Sequence, residues 1–184
     1  MKALFLPALI PFALISVLAA QTCREVVRDA SGRIVQTIDR QKSSGGTVQA
    51  TTRDASGRII GTATTNPNSG GSSQTTYRDA SGRIAGTAST QPTTGASSRT
   101  TYRDASGRLA GSTDTRTGNG TATSTQYRDA SGRLTGSSTT SGSSSGSFSG
   151  TQRDASGRLT GSSNGSGKCQ GVVKVPVPPP GAKR

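Results

Sequence analysis

The sequence predicts an all-β chain of tandem β-hairpins, six 25-residue units forming a thin sheet or β-solenoid with flexible Gly/Ser/Thr-rich linkers. Three observations carry that expectation. Arg-Asp-Ala-Ser-Gly-Arg occurs six times without a substitution, starting at Arg28, Arg53, Arg78, Arg103, Arg128 and Arg153, each 25 residues after the last. A fixed period of this kind defines the architectural unit of a repeat protein. Asp, Ala-Ser and Gly in that order are the chemistry of a type I turn closed by a left-handed glycine. The flanks then favour strands: Val27, Thr52, Tyr77, Tyr102, Tyr127 and Gln152 precede the motif, and Ile34, Ile59, Ile84, Leu109, Leu134 and Leu159 follow it.

From the N-terminus, a basic Lys2, an apolar run from Ala3 to Leu18 and the small pair Ala19-Ala20 have the layout of a secretory signal peptide over residues 1–20. The run is short for a membrane span. Gln21-Thr22 stand before Cys23 where a lipoprotein signal needs small residues. The chain is therefore expected to be exported, to the periplasm, the cell surface or the extracellular space, with no transmembrane segment in its mature form.

Residues 21–27 form a lead-in, in which Cys23 to Val27 reads as a short strand, and residues 28–167 hold the six repeats. The turns rest on Asp29 and Gly32, Asp54 and Gly57, Asp79 and Gly82, Asp104 and Gly107, Asp129 and Gly132, and Asp154 and Gly157. Gly supplies a positive φ without strain, and Asp accepts from the turn amides. In the simplest register Asp79 faces Arg83, Arg78 faces Ile84 and Tyr77 faces Ala85. Tyr77, Asp79, Arg83 and Ala85 then share one side, and Thr76, Arg78, Ile84 and Gly86 the other. Gly61, Gly86, Gly111, Gly136 and Gly161 recur in the returning arms, with Gln36 in the first. Between hairpins, Asn66 to Ser73, Gly118 to Thr123 and Ser137 to Ser149 read as mobile linkers. Residues 168–184 add a strand and a basic, Pro-rich tail.

Composition limits the interior. Beyond the signal peptide the chain has one Phe (Phe148), three Tyr and neither Trp nor Met, amid abundant Gly, Ser and Thr. That is the make-up of linkers and disordered chains. It excludes a compact globular core, leaving disorder or repeat-on-repeat stacking.

Cys23 and Cys169 bracket the repeats. In an oxidising compartment two cysteines are expected to pair, within the chain or between chains. An internal bridge is easy for a solenoid or closed barrel and hard for a flat ladder, whose ends lie too far apart. Two cysteines without any His cannot build a structural zinc site.

The net charge of +13 implies attraction to polyanions: lipopolysaccharide, acidic polysaccharide or extracellular DNA. The candidate binding residues are the second arginines of the motifs, Arg33, Arg58, Arg83, Arg108, Arg133 and Arg158. No catalytic residue, cofactor site or metal site is expected. The chain has no His, the repeated Asp is kept ionised by arginines, and the motif Ser has no base partner.

The run Tyr-Arg-Asp-Ala-Ser-Gly-Arg-Leu at Tyr102 and Tyr127, extended by Thr135 and echoed at Tyr77, resembles the YD repeats of Rhs-type proteins. Their pattern is Tyr-Asp, two variable residues, Gly-Arg-Leu and often Thr. Here an Arg separates Tyr from Asp in every copy, three copies lack Tyr, and the likeness spans eight residues of each 25. The resemblance implies a strand-rich shell and carbohydrate or surface binding. The expected role is an exported structural or adhesive repeat protein that binds anionic polymer or itself. The alternatives are a secreted amyloid-like fibre subunit, a polyanion-binding module and a disordered spacer.

Overall fold

Every motif closes a hairpin in the computed structural model, which describes residues 21–118, 121–143 and 145–167. In the third copy the Gly82 amide donates to the Asp79 carbonyl at 3.1 Å and the Asp79 amide to the Arg83 carbonyl at 2.9 Å. Gly82 sits at φ 83°. This is the type I turn with a glycine bulge that the motif predicts.

Twelve strands result: β1 (Gln21–Asp29), β2 (Ile34–Lys42), β3 (Val48–Asp54), β4 (Ile59–Pro67), β5 (Ser73–Asp79), β6 (Ile84–Thr93), β7 (Ser97–Asp104), β8 (Leu109–Thr117), β9 (Thr123–Asp129), β10 (Leu134–Gly142), β11 (Phe148–Asp154) and β12 (Leu159–Gly167). Each pairs antiparallel with its sequence neighbours, and β1 pairs with β12, so the sheet closes into a barrel. The expected thin sheet or solenoid is thereby corrected. Closure removes both edges, which an open ladder of polar strands would leave unpaired.

The register explains why closure is reached. Thr52 pairs with Gly61, and Gly61 with Asp79, so one repeat advances 79 − 52 = 27 residues, two more than its 25-residue period. The same step carries Tyr77 through Gly86 to Asp104, and Gln152 through Gly161 to Asp29. Six repeats give a stagger of twelve residues, equal to the strand number. Barrels with that equality tilt their strands by roughly 36°.

Period-two alternation sorts the side chains. Along β4, Ala63 and Thr65 are buried while Thr62 and Asn66 are exposed. Inside, each tyrosine lies between small residues: Tyr77 between Gly86 and Ala63, Tyr102 between Gly111 and Ala88, Tyr127 between Gly136 and Thr113. Phe148 lies directly over its strand partner Gly165 in the same way. Val27, Ile38, Ala50 and Ala63 form an apolar cluster against Tyr77. Buried hydroxyls pair across strands, Thr65 with Thr75 at 2.7 Å and Thr90 with Thr100 at 2.8 Å, and Thr115 pairs with Thr125 at 3.0 Å. A packed interior therefore exists despite the composition. Its buried residues are mostly small, Ala50, Ala63, Ala88, Thr65, Thr75, Thr100 and Thr113 among them, joined by Val27, Ile38, Val48, Tyr102 and Phe148.

The hairpin register differs from the simplest one. Tyr77 faces Gly86, Arg78 faces Ile84, and Ala85 has no partner between them. This bulge turns Gly86 to the tyrosine side and sets Ile84 beside Arg78 on the outer wall. Parts of the expected linkers are strand: Asn66 and Pro67 end β4, Ser73 begins β5, Ser137 to Gly142 continue β10, and Phe148 and Ser149 begin β11, with a short 3₁₀ turn at Ser69–Gly71. The lead-in belongs to β1. The signal peptide (1–20) and the C-terminal strand and tail (168–184) lie outside the described residues.

The returning-arm glycines are set by close backbone approach. A Cβ on Gly86 would lie 2.5 Å from the Arg103 carbonyl oxygen, and one on Gly136 2.5 Å from that of Arg153. Gly86→Val and Gly136→Val are expected to cost about 2–3 kcal/mol each by overpacking. The exposed Gly45→Ala control should stay within roughly 0.5 kcal/mol. Urea unfolding measures all three, and equal stabilities would contradict this account.

Candidate functional site

All six motif hairpins emerge from one end of the barrel, since alternate connections of an up-and-down barrel lie at opposite ends. The other turns, together with the start of β1 and the end of β12, occupy the far end. One rim thus carries twelve motif arginines and six aspartates, a net charge of 12 − 6 = +6. Successive tips stand roughly 10 Å apart, two strand spacings.

Within each tip nearly every polar group has a local task. Oδ1 of Asp79 accepts from the Ser81 amide at 2.8 Å, the Ser81 hydroxyl at 2.7 Å and the Arg83 amide at 3.0 Å. The two amide bonds recur in all six copies. The first arginine reaches over the turn, Nη1 donating to the glycine carbonyl at 2.8 Å in Arg78, with the same bond from Arg28, Arg53, Arg103, Arg128 and Arg153. The first arginine is therefore a clamp on its own turn.

The second arginines are different. Among the described residues Arg58 bonds its turn carboxylate, Asp54, at 3.0 Å, whereas the head groups of Arg33, Arg83, Arg108, Arg133 and Arg158 form no side-chain hydrogen bond or ion pair. Those of Arg33, Arg83, Arg108 and Arg158 act on their turn aspartates only at longer range. The six sequence-predicted candidates are thus gathered on one rim, and most keep their donors uncommitted. The turn residues Asp29, Gly32, Asp54, Gly57, Asp79, Gly82, Asp104, Gly107, Asp129, Gly132, Asp154 and Gly157 all sit in the turns assigned to them.

One feature of the crown is hard to read from sequence. Ile34, Ile59, Ile84, Leu109, Leu134 and Leu159 stand on the outer arms of the tips, 42–49% exposed. Their pairing with Arg on one face was legible in the motif, but which face would be the outer one depends on closure. Below them the wall is polar, as in Thr37 opposite Arg53, Thr62 opposite Arg78 and Thr87 opposite Arg103. Asp114 bridges Arg99 at 2.7 Å and Arg128 at 3.7 Å there, exposed pairs of the weak kind.

Away from the crown, Arg40 is 2% exposed and pairs with buried Glu25 at 2.6 Å. Sequence reading missed this pair, whose only signal was two charges at inward positions of adjoining strands. Burial raises the phenol pKa of Tyr77 and Tyr102 well above the ordinary value and that of Tyr127 in the same direction. Cys23 is buried and is not a free cysteine, and it pairs in register with Gly167 of β12; Cys169 lies outside the described residues. Among the described residues, no three Cys, Asp or Glu side chains converge to hold a metal ion. No family model, curated protein or solved structure matches the chain. Function has to be read from the chemistry of the site itself.

The turn carboxylates make stability sensitive to acid. Asp29, Asp54, Asp79, Asp104 and Asp154 are held below the usual carboxylate range, first of all by the hydroxyl of the turn serine, and Asp54 is drawn to about 2. The folded state then binds these protons less readily than the unfolded chain. The resulting stability is fully present above about pH 4 and is lost as the pH falls towards the folded pKa values. Thermal midpoints should hold near neutrality and drop between about pH 4 and 2. Replacing Ser31, Ser56, Ser81, Ser106 and Ser156 together by Ala should flatten that limb, and an equally steep limb in the variant would refute the assignment.

Proposed function

We propose that this chain is an exported adhesive barrel that binds anionic polymer, at the cell surface or in the periplasm, through its arginine crown. The observation that carries the reading is the collection of Arg33, Arg58, Arg83, Arg108, Arg133 and Arg158 on one rim, with five head groups uncommitted. A ring of cations focuses a positive field and holds a polyanion without needing a shaped pocket. Carbohydrate or surface binding, which the likeness to YD repeats implies, falls in the same class. Strand-by-strand fibre growth is less favoured, because each of the twelve strands is paired on both sides.

Replacing all six second arginines by Gln should abolish binding to heparin or lipopolysaccharide while leaving the fold intact, since none of them supports a turn through its side chain except Arg58. With duplex DNA as the probe, engagement of all six predicts roughly a 10³-fold loss of affinity between about 50 and 200 mM salt. Salt-independent binding, or full binding by the Gln variant, would sink this reading.

The seam supports an internal Cys23–Cys169 bridge as part of the same design. Gly167, the register partner of Cys23, precedes Cys169 by only two residues. A bridge there would clasp β1 to β12 at the end away from the crown and hold the ring shut. It should add on the order of 4–5 kcal/mol in the chain-entropy view. Mass analysis without reductant is expected to show linked monomer, with a lower thermal midpoint after reduction; linked dimers alone would overturn it.

A further inference from the structure

We infer that the crown's partner is an anionic lipid bilayer surface, on which the barrel stands end-on with its six tips in the headgroup layer. This rests on the crown being the binding face, as proposed above, and goes further by naming what it binds. The added observation concerns the apolar side chains. Among the described residues the exposed large hydrophobics are Ile34, Val35, Ile59, Ile84, Leu109, Leu134 and Leu159, and all seven lie on the returning arms of the tips. Each of the six Ile and Leu residues faces a motif arginine across its hairpin, from Arg28 opposite Ile34 to Arg153 opposite Leu159.

Charge alone would satisfy a hydrophilic polyanion, and the apolar ring adds a feature that charge does not call for. Exposed apolar surface gathered in one place marks an interaction site, and apolar side chains interleaved with arginines match the boundary between acyl chains and charged headgroups. Arginine suits that depth because its stem can lie against apolar surface while the head stays at phosphate level. A second copy docking crown to crown would oppose +6 to +6. The wall below the crown argues against deeper insertion: Thr37, Thr62, Thr64, Thr76, Thr87 and Thr101 stand where a spanning barrel presents an apolar band. The barrel stands on the surface and does not cross it.

Flotation with vesicles of phosphatidylcholine containing about 30% phosphatidylglycerol tests this, with pure phosphatidylcholine vesicles and soluble heparin as the other arms. The intact chain should float with the anionic vesicles and not with the neutral ones. A variant carrying Ile34→Ser, Ile59→Ser, Ile84→Ser, Leu109→Ser, Leu134→Ser and Leu159→Ser should lose vesicle binding by at least about tenfold while keeping heparin binding within about twofold. If that variant binds vesicles as well as the parent, the lipid inference falls and polymer binding stands. If neither vesicles nor heparin is bound by the parent, the crown is not a polyanion site and both fall. Because the chain has no Trp, Leu109→Trp gives a second readout that needs only one substitution. Its emission should shift to the blue on anionic vesicles alone, and an unshifted spectrum would overturn the inference.

Discussion

One unpaired residue in each hairpin decides which side chains this barrel hides. Val35, Ile60, Ala85, Ala110, Thr135 and Thr160 have no cross-strand partner in their own hairpins, because the register slips there by one. A slip of one residue reverses faces along the rest of a strand. Here it brings Gly86 under Tyr77 and leaves Ile84 beside Arg78 outside. The bulge also sharpens local twist, which a ring of only seven- to ten-residue strands needs in order to close. Interior packing, closure and the exposed crown all follow from that single extra residue, repeated six times.

Near-identity of the repeats carries a hazard. A chain whose units are interchangeable can pair out of step by a whole unit and still satisfy most of its hydrogen bonds. The interior breaks that degeneracy most sharply at one charged pair. Where later repeats set Thr65, Thr90 and Thr115 facing inward, the first sets Arg40, paired with Glu25 of β1. An unpaired buried charge costs about 3–5 kcal/mol, so arrangements that separate these two are strongly disfavoured. The pair sits on the two strands next to the closing seam, where a misplaced repeat would otherwise go unnoticed.

Much of this was legible in the residues, for physical reasons that can be named. The turn was readable because its determinants are local: Asp79, Ser81 and Gly82 satisfy one another within four residues. The arginine candidates were readable because period fixes their equivalence. Closure was not, since it depends on a two-residue advance per repeat that no residue spells out and that only summed registers reveal. The packed interior was missed for a related reason. Counting large apolar side chains overlooks what is buried here: Ala50, Ala63 and Ala88 and the hydroxyl-bearing Thr65, Thr75, Thr100 and Thr113 line the interior, while Gly86, Gly111 and Gly136 stand opposite the tyrosines.

The six-residue motif therefore divides its work with little overlap. Asp, Ser and Gly make the turn, and the first arginine locks it by holding the glycine carbonyl. Those four are spent on structure, which explains why they tolerate no visible variation from copy to copy even though they face solvent. The second arginine serves the turn through its backbone, its amide donating to Asp79 Oδ1 and its carbonyl accepting from the Asp79 amide, with the Arg83 guanidinium left outside those bonds. A side chain unnecessary for the turn, yet present in all six copies, needs a reason beyond folding. Its position on a common rim, with an isoleucine or leucine at its shoulder, supplies one in the chemistry of anionic surfaces.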